Sequence, residues 1–281
     1  MSAAIQTRLI SEEIRPSIAS RVLNSKKELL AGDLGPAIRD LLEERGVLVF
    51  KQINFTDEEQ VAFTKTLGEF APERAGDGEN ISKITLDVKE NPHSAEYLKG
   101  SLYWHIDGTM NDLPILASLL SCKVAAPRGT GNTGFCNTYA AWDALPDDRK
   151  AELRDLRAIH AVWPTVFYYE PEPSVAKLQG MRRVGENELP LVWKHGSGRL
   201  SLVLGCTTLS IVGKTPFESA EIIHGLREWS TQPQFSYSHE WDEGDLVIWD
   251  NTGTMHRAEA YDLTCGRMMH RTKLKGEEAF A

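Results

Sequence analysis

Trp104-His105-Ile106-Asp107 sets an imidazole and a carboxylate two residues apart. Side chains two apart on a strand share a face, so His105 and Asp107 can grip one metal ion together. A second imidazole stands far downstream, in Trp249-Asp250-Asn251-Thr252-Gly253-Thr254-Met255-His256, and Arg267 and Arg271 follow it. Two histidines and one carboxylate form the facial set expected for non-haem Fe(II), with positions left open for oxygen chemistry. The same donors would also serve a zinc- or manganese-dependent hydrolase or isomerase. A His-x-Asp triplet arises easily by chance among eight histidines, so its surroundings must carry the assignment.

The partner of that triplet has several candidates. His160 lies on an apolar stretch and reads as a core histidine, His195 sits in a Gly-rich turn, and His224 belongs to a capped helix. His239 alternates with Tyr237 and Trp241 and reads as solvent-facing. His270 is flanked by Met269 and Arg271, and His93 falls in a polar segment. His256 is best placed, because it follows a strand and a tight turn, where a rigid scaffold presents functional groups. Arg267 begins the next strand, and Arg271, four residues on, shares its face if that strand is regular. A guanidinium near a metal is a bidentate clamp for a carboxylate.

The elements that must position these residues are mixed at first and then mostly strands. Pro36 to Glu44 carries Ile38, Leu41 and Leu42 at helical spacing, and Gly46 to Phe50 reads as a buried strand. Thr56 and Glu59 form a capping box ahead of a helix bearing Val61, Phe63, Leu67 and Phe70. Residues 71–101 are polar, with one strand candidate at Ile81 to Val88, and are expected to be a lid over the active site. Strands are expected at Ala117 to Val124, Thr133 to Thr138, Ala158 to Trp163 and Leu200 to Gly205, then at Phe235 to Trp241, Asp245 to Trp249 and Arg267 to Leu274. Helices interrupt them at Asp147 to Leu156 and Thr215 to Trp229, the second opening with Thr215, Pro216 and Glu218 as cap, first residue and box partner. Many short strands that do not alternate with helices argue for a jelly roll rather than a doubly wound sheet.

Composition narrows the function classes. The 281 residues suit one large domain, and 41% hydrophobic residues can fill its core. A net charge of −9 without a basic tract disfavours nucleic acid, whose phosphates need clustered Lys and Arg. Cys122, Cys136, Cys206 and Cys265 make no C-x-x-C pair, which fits reduced thiols in a cytoplasmic protein. Met1 to Ser17 has no apolar core of a secretory signal, and no run approaches the roughly 18 apolar residues of a membrane span. The expectation is a cytoplasmic protein acting on a small molecule, without nucleic-acid or membrane partner; a homo-oligomer is compatible with it.

Taken together the motifs resemble the taurine dioxygenase / 2,4-dichlorophenoxyacetate dioxygenase family of Fe(II)- and 2-oxoglutarate-dependent enzymes. The resemblance spans nearly the whole chain: Gly46-Val-Leu-Val-Phe50, Leu67-Gly68-Glu69, Trp104 to Asp107, Gly131-Asn132-Thr133, Ala140 to Pro146 and Ser197-Gly198-Arg199. It continues through Gly244 to Asn251, His256 and Arg267 to Arg271. One departure is His195-Gly196, where many members have His-Pro; it alters turn stiffness more than chemistry.

The resemblance implies a mostly β fold with added helices, a double-stranded β-helix of the jelly-roll, cupin-like kind. It implies that His105, Asp107 and His256 bind Fe(II), that Arg267 and Thr133 take the distal carboxylate of 2-oxoglutarate, and that Arg271 faces the co-substrate or an anionic group of the prime substrate. Ser101, Gly108, Met110, Phe167 and Cys206 are expected to border the substrate. The implied reaction consumes O2 and 2-oxoglutarate, releases succinate and CO2, and hydroxylates a small organic compound bearing a carboxylate, sulfonate or sulfate. Hydroxylation, desaturation or cyclisation of an apolar or aromatic biosynthetic intermediate is the alternative. Asp107 argues against a halogenase, which in related enzymes lacks that ligand.

Overall fold

The computed structural model describes residues 7–72, 81–92 and 95–281. The chain begins with β1 (Ser11–Glu13), β2 (Ser20–Val22), α1 (Lys26–Leu30), α2 (Gly35–Arg45), β3 (Val47–Phe50), α3 (Asp57–Leu67), β4 (Phe70–Ala71), β5 (Ser82–Ile84) and α4 (Ala95–Leu98). A 3-10 turn (Lys99–Leu102) leads to the His105 segment. Then come β6 (Ala117–Val124), β7 (Thr133–Asn137), α5 (Thr138–Asp143), α6 (Asp147–Leu153), β8 (Arg157–Ala161), a second 3-10 stretch (Trp163–Tyr168) and α7 (Val175–Arg182). The last third holds β9 (Glu186–Pro190), β10 (Val192–Lys194), β11 (Leu200–Leu202), β12 (Thr208–Ile211), α8 (Pro216–Ser230), β13 (Ser236–His239), β14 (Leu246–Asp250), β15 (Thr254–Ala258) and β16 (Met268–Leu274). The protein is mostly β with added helices. Among the described residues no helix is long and apolar enough to cross a membrane.

The largest sheet runs β1-β2-β3-β14-β6-β16-β4, with β5 also on β16. Its central strands are apolar almost without a break because both faces are covered. One face buries Leu48, Phe50, Leu119, Leu246, Ile248 and Leu274 against Leu29, Ile38, Leu42 and Phe63 of α1, α2 and α3. The alternate residues Val47, Val49, Leu120, Val247, Trp249 and Met269 point the other way, as the two-residue period of a strand requires. Each such fully buried side chain contributes about 1.5–3 kcal/mol. Phe135 and Tyr237 of the sheet β13-β7-β15 pack against this inner face, and β12-β8-β9 forms a further sheet. A third apolar cluster, with Trp142, Trp193, Leu204, Ile223 and Met255, backs them beneath α5 and α8.

Both expected capping boxes form: Thr56 and Thr215 accept the amides of Glu59 and Glu218, whose side chains return to the cap backbone. Several expected strands are shorter than the sequence suggests. Ile81 to Val88 reduces to β5, because Thr85 and Asp87 side chains accept the amides of Asp87 and Lys89 and turn the chain. Thr138 starts a helix instead of ending β7, with Asn137 capping the amide of Ala140. His93 and part of the expected lid, residues 73–80 and 93–94, lie outside the described residues.

Candidate metal centre

The His105 and His256 segments meet as an isolated antiparallel bridge. Each donates its amide to the other's carbonyl, at 3.0 and 2.9 Å, and the two rings stand 4.1 Å apart, centroid to centroid. Asp107, two residues on, points to the same place. Its Oδ1 is 3.6 Å from His105 Nε2 and its Oδ2 is 3.8 Å from His256 Nε2. One donor atom from each residue lies within 4.8 Å of the other two.

The protonation states suit a divalent metal. His105 Nδ1 lies 2.8 Å from the Tyr103 carbonyl. A carbonyl only accepts, so Nδ1 carries a proton, which leaves Nε2 as the nitrogen that can face a metal. His256 is packed by Trp249 and Phe135 at 4.7 and 6.4 Å. Burial, reinforced by His105, holds its pKa well below the ordinary value, so it is a neutral imidazole. Its Nδ1 is buried without a hydrogen-bond partner among the described residues. Burial alone would raise the pKa of Asp107; the positive charge gathered around it, of which the Arg271 guanidinium is the permanent part, outweighs burial and holds the carboxyl below its ordinary value. Two imidazoles and one carboxylate are the donors Fe(II) takes.

These residues open onto a cavity of about 290 Å³. Thr133, Arg267, Arg271, Ser101, Gly108, Met110 and Cys206 also line it. Arg267 is only 4% exposed, and its guanidinium lies over the Tyr261 ring at 5.0 Å. Burial pushes its pKa down, yet a guanidinium stays charged. Among the described residues no carboxylate comes within salt-bridge distance of Arg267, an expensive state for a buried cation unless an anion arrives. Thr133 Oγ1 accepts the Trp241 indole N–H at 3.0 Å, which leaves its own proton to donate into the cavity. Arg271 lies on β16 opposite Leu120 of β6, its Nη1 3.6 Å from Asp107 Oδ2.

The family model described as taurine catabolism dioxygenase TauD, TfdA family matches residues 10–273. The chain belongs to this family. It is an Fe(II)- and 2-oxoglutarate-dependent dioxygenase of the TauD/TfdA family. The alpha-ketoglutarate-dependent 2,4-dichlorophenoxyacetate dioxygenase of Burkholderia sp. (strain RASC) is 34% identical over 95% of this chain and 94% of its own. An alpha-ketoglutarate-dependent sulfate ester dioxygenase of Pseudomonas putida is 30% identical over 86% of this chain and 80% of its own. Among solved structures, AAD-2 in complex with Mn(II) and N-oxalylglycine superposes with a TM-score of 0.82 at 28% identity, covering 98% of this chain and all of AAD-2.

Not every expected residue of the TauD/TfdA-family site reaches the cavity. Phe167 is 44% exposed and packs on Trp163 instead. It sits in a 3-10 stretch, where residues three apart share a face; Val162 and Thr165 take the cavity-lining face. His239, expected at the surface, is 2% exposed and hydrogen-bonds Asp245 Oδ2 at 3.1 Å. The buried Asp245, which also holds Lys51 at 2.6 Å, draws it inward. Conversely, Leu120, Trp249 and Tyr261 line the cavity and were not singled out. Leu120 and Trp249 are the inward-pointing members of recognised strands, so parity could have found them; Tyr261 lies in a loop without pattern.

Proposed function

We propose that His105, Asp107 and His256 hold the ferrous ion of this dioxygenase, that Arg267 and Thr133 receive the distal carboxylate of 2-oxoglutarate, and that Arg271 receives an anionic group of the prime substrate. The observation that carries this reading is the buried, acid-free guanidinium of Arg267 in the same cavity as the His-Asp-His cluster. When bound, iron and 2-oxoglutarate supply oxidative decarboxylation to succinate and CO2 coupled to oxidation of the substrate.

The chain contributes geometry, charge and dryness. The backbone bridge fixes the two imidazoles, and Asp107 neutralises part of the metal charge. Arg267 orients the co-substrate from one end. Ile84, Ile115, Leu120, Val162 and Trp249 give the remaining walls an apolar part, beside Thr109, Asn111, Thr165 and Thr207, and favour an aryl or alkyl body. Arg271 then selects a carboxylate, sulfonate or sulfate on that body, in keeping with the phenoxyacetate and sulfate-ester activities named for the relatives. Hydroxylation of a carbon next to a heteroatom would cleave such a compound. The apolar walls also admit the second reading, oxidation of an apolar biosynthetic intermediate. Two facing sheets around the cavity support a double-stranded β-helix within one domain. Tyr97 and Ser101 at the cavity edge support a lid role for the described part of 71–101.

The test is succinate release with a panel of aryl and alkyl carboxylates and sulfonates, with and without Fe(II), 2-oxoglutarate and a chelator. Turnover should need both additions and stop with the chelator. Loss of anionic substrates alone in Arg271→Ala would support the first substrate reading. Unchanged preference would favour the second.

A further inference from the structure

We propose that Ser118 and Asn251 are positioning residues that fix the Asp107 carboxylate through a one-way relay of hydrogen bonds headed by Trp249. The inference rests on the reading of Asp107 as a metal ligand and deepens it. Trp249 Nε1 lies 2.9 Å from Asn251 Oδ1, Asn251 Nδ2 lies 3.0 Å from Ser118 Oγ, and Ser118 Oγ lies 3.3 Å from Asp107 Oδ2. Ser118 and Asn251 are fully buried and Trp249 is 2% exposed.

The direction of every bond is forced. An indole N–H only donates, so the Asn251 carbonyl must face Trp249 and its amide N–H2 must face Ser118. Ser118 Oγ therefore accepts, and its single proton goes to Asp107 Oδ2. The fold builds this arrangement from register: Ser118 of β6 and Trp249 of β14 are direct cross-strand partners. Asn251 is pinned by its own amide on the Leu116 carbonyl at 3.0 Å. Buried, fully directed chains of this kind lose much when one member is removed.

What the relay opposes is also visible. Asp107 Oδ2 has Arg271 Nη1 at 3.6 Å and His256 Nε2 at 3.8 Å. Without the Ser118 hydroxyl, the carboxylate is free to swing toward the guanidinium and away from the two imidazoles. Trp249 meanwhile packs on the His256 ring at 4.7 Å, so one indole braces one ligand by contact and orients another through the relay.

The experiment titrates Fe(II) alone into the anaerobic protein, then adds 2-oxoglutarate and records the visible charge-transfer band, with a thermal melt as folding control. Ser118→Ala should bind Fe(II) about 10–100-fold more weakly, the range for loss of an outer partner of a metal ligand, and should shift the band. Ser118→Thr, which keeps the hydroxyl, should restore both. Ser118→Cys fills the space with a poor donor and should behave as Ser118→Ala; it decides the matter if the alanine variant does not fold. Wild-type affinity and an unshifted band in Ser118→Ala or Ser118→Cys would overturn the relay. Asp107→Ala separates the two readings: if it binds Fe(II) normally, the ligand assignment itself fails, whereas loss of binding there with a silent Ser118→Ala rejects the relay alone.

Discussion

His105 and His256 are held together by their backbones, each amide on the other's carbonyl, and not by their rings. Removing one ring therefore leaves the bridge intact. The His105 side chain is 15% exposed at the cavity, whereas His256 is wedged between Trp249 and Phe135. Both alanine variants should lose Fe(II)-dependent succinate formation by about 100-fold or more. Their metal-free stabilities should differ: His105→Ala within about 0.5 kcal/mol of the parent, His256→Ala lower by about 2 kcal/mol from the void it leaves. Denaturant melts of the metal-free proteins measure this. Equal losses would mean that the two rings are packed alike.

Arg267→Met should divide co-substrate binding from metal binding. The guanidinium is 4% exposed and lies over the Tyr261 ring, and its loss leaves no buried acid unpaired among the described residues. Affinity for 2-oxoglutarate should fall by about 2–4 kcal/mol, roughly 30- to 1,000-fold, while Fe(II) affinity is retained. The co-substrate-free protein should melt no lower than the parent, because an uncompensated buried charge has gone. Calorimetric titration with 2-oxoglutarate decides it; parent-like affinity would remove Arg267 from the co-substrate site.

The sequence made this pairing of sites legible because strand parity is rigid. Arg267 and Arg271 were expected on one face, and both do line the cavity, with Arg271 on β16 and Arg267 just ahead of its first residue, Met268. Strand identity came through for Ala117 to Val124, whose bounds match β6. Less was legible where pairing, and not pattern, makes the strand. Glu186–Pro190 is polar along much of its length yet forms β9 by pairing with β8. His239 has the alternation of a surface strand, and the buried Asp245, six residues on, reverses it by hydrogen-bonding the ring, a contact that alternation does not show. The relay through Ser118 and Asn251 was invisible for the same reason: two residues separated by 133 positions meet only once β6 and β14 are in register.

Gly205→Ala should damage the centre from outside. Gly205 has φ +149, and a Cβ there would lie 2.9 Å from His105 Cα and 3.1 Å from the Trp104 carbonyl. That carbonyl also accepts the Cys206 amide at 2.7 Å. The methyl must push the Gly205-Cys206 loop off the His105 strand, and misplacement by about 1 Å near reacting groups can cost 100-fold in rate. A fall in kcat of about 10- to 100-fold is expected. Gly180→Ala, in α7 with open space around it, is the control and should leave turnover unchanged while adding about 0.5–1 kcal/mol of helix stability. Turnover assays on both variants check the contrast; an unimpaired Gly205→Ala would show that the loop yields without moving His105.

Asp250 should give the protein a pH-dependent stability of unusual sign for a carboxylate. Its Oδ1 accepts the Thr252 amide and hydroxyl at 2.8 and 2.6 Å, but its Oδ2 is buried without a partner among the described residues. It borders a second pocket shared with Glu43 and Glu278. Burial, against the two Thr252 bonds and with Glu43 adding repulsion, lifts its pKa from 3.8 to about 6. The folded state therefore binds this proton more tightly than the unfolded chain. Its contribution is fullest below pH 3.8, declines as the pH rises toward 6, and is constant beyond. At about 1.36 kcal/mol per unit, the decline is on the order of 1–3 kcal/mol. Asp250→Asn keeps an acceptor for Thr252 and removes the ionisation. The variant should match the parent near pH 4 and exceed it above pH 6, the gap opening between those values in denaturant melts. A gap that stays constant across that window would mean that Asp250 ionises as it would in water, and that Oδ2 finds solvent through the second pocket.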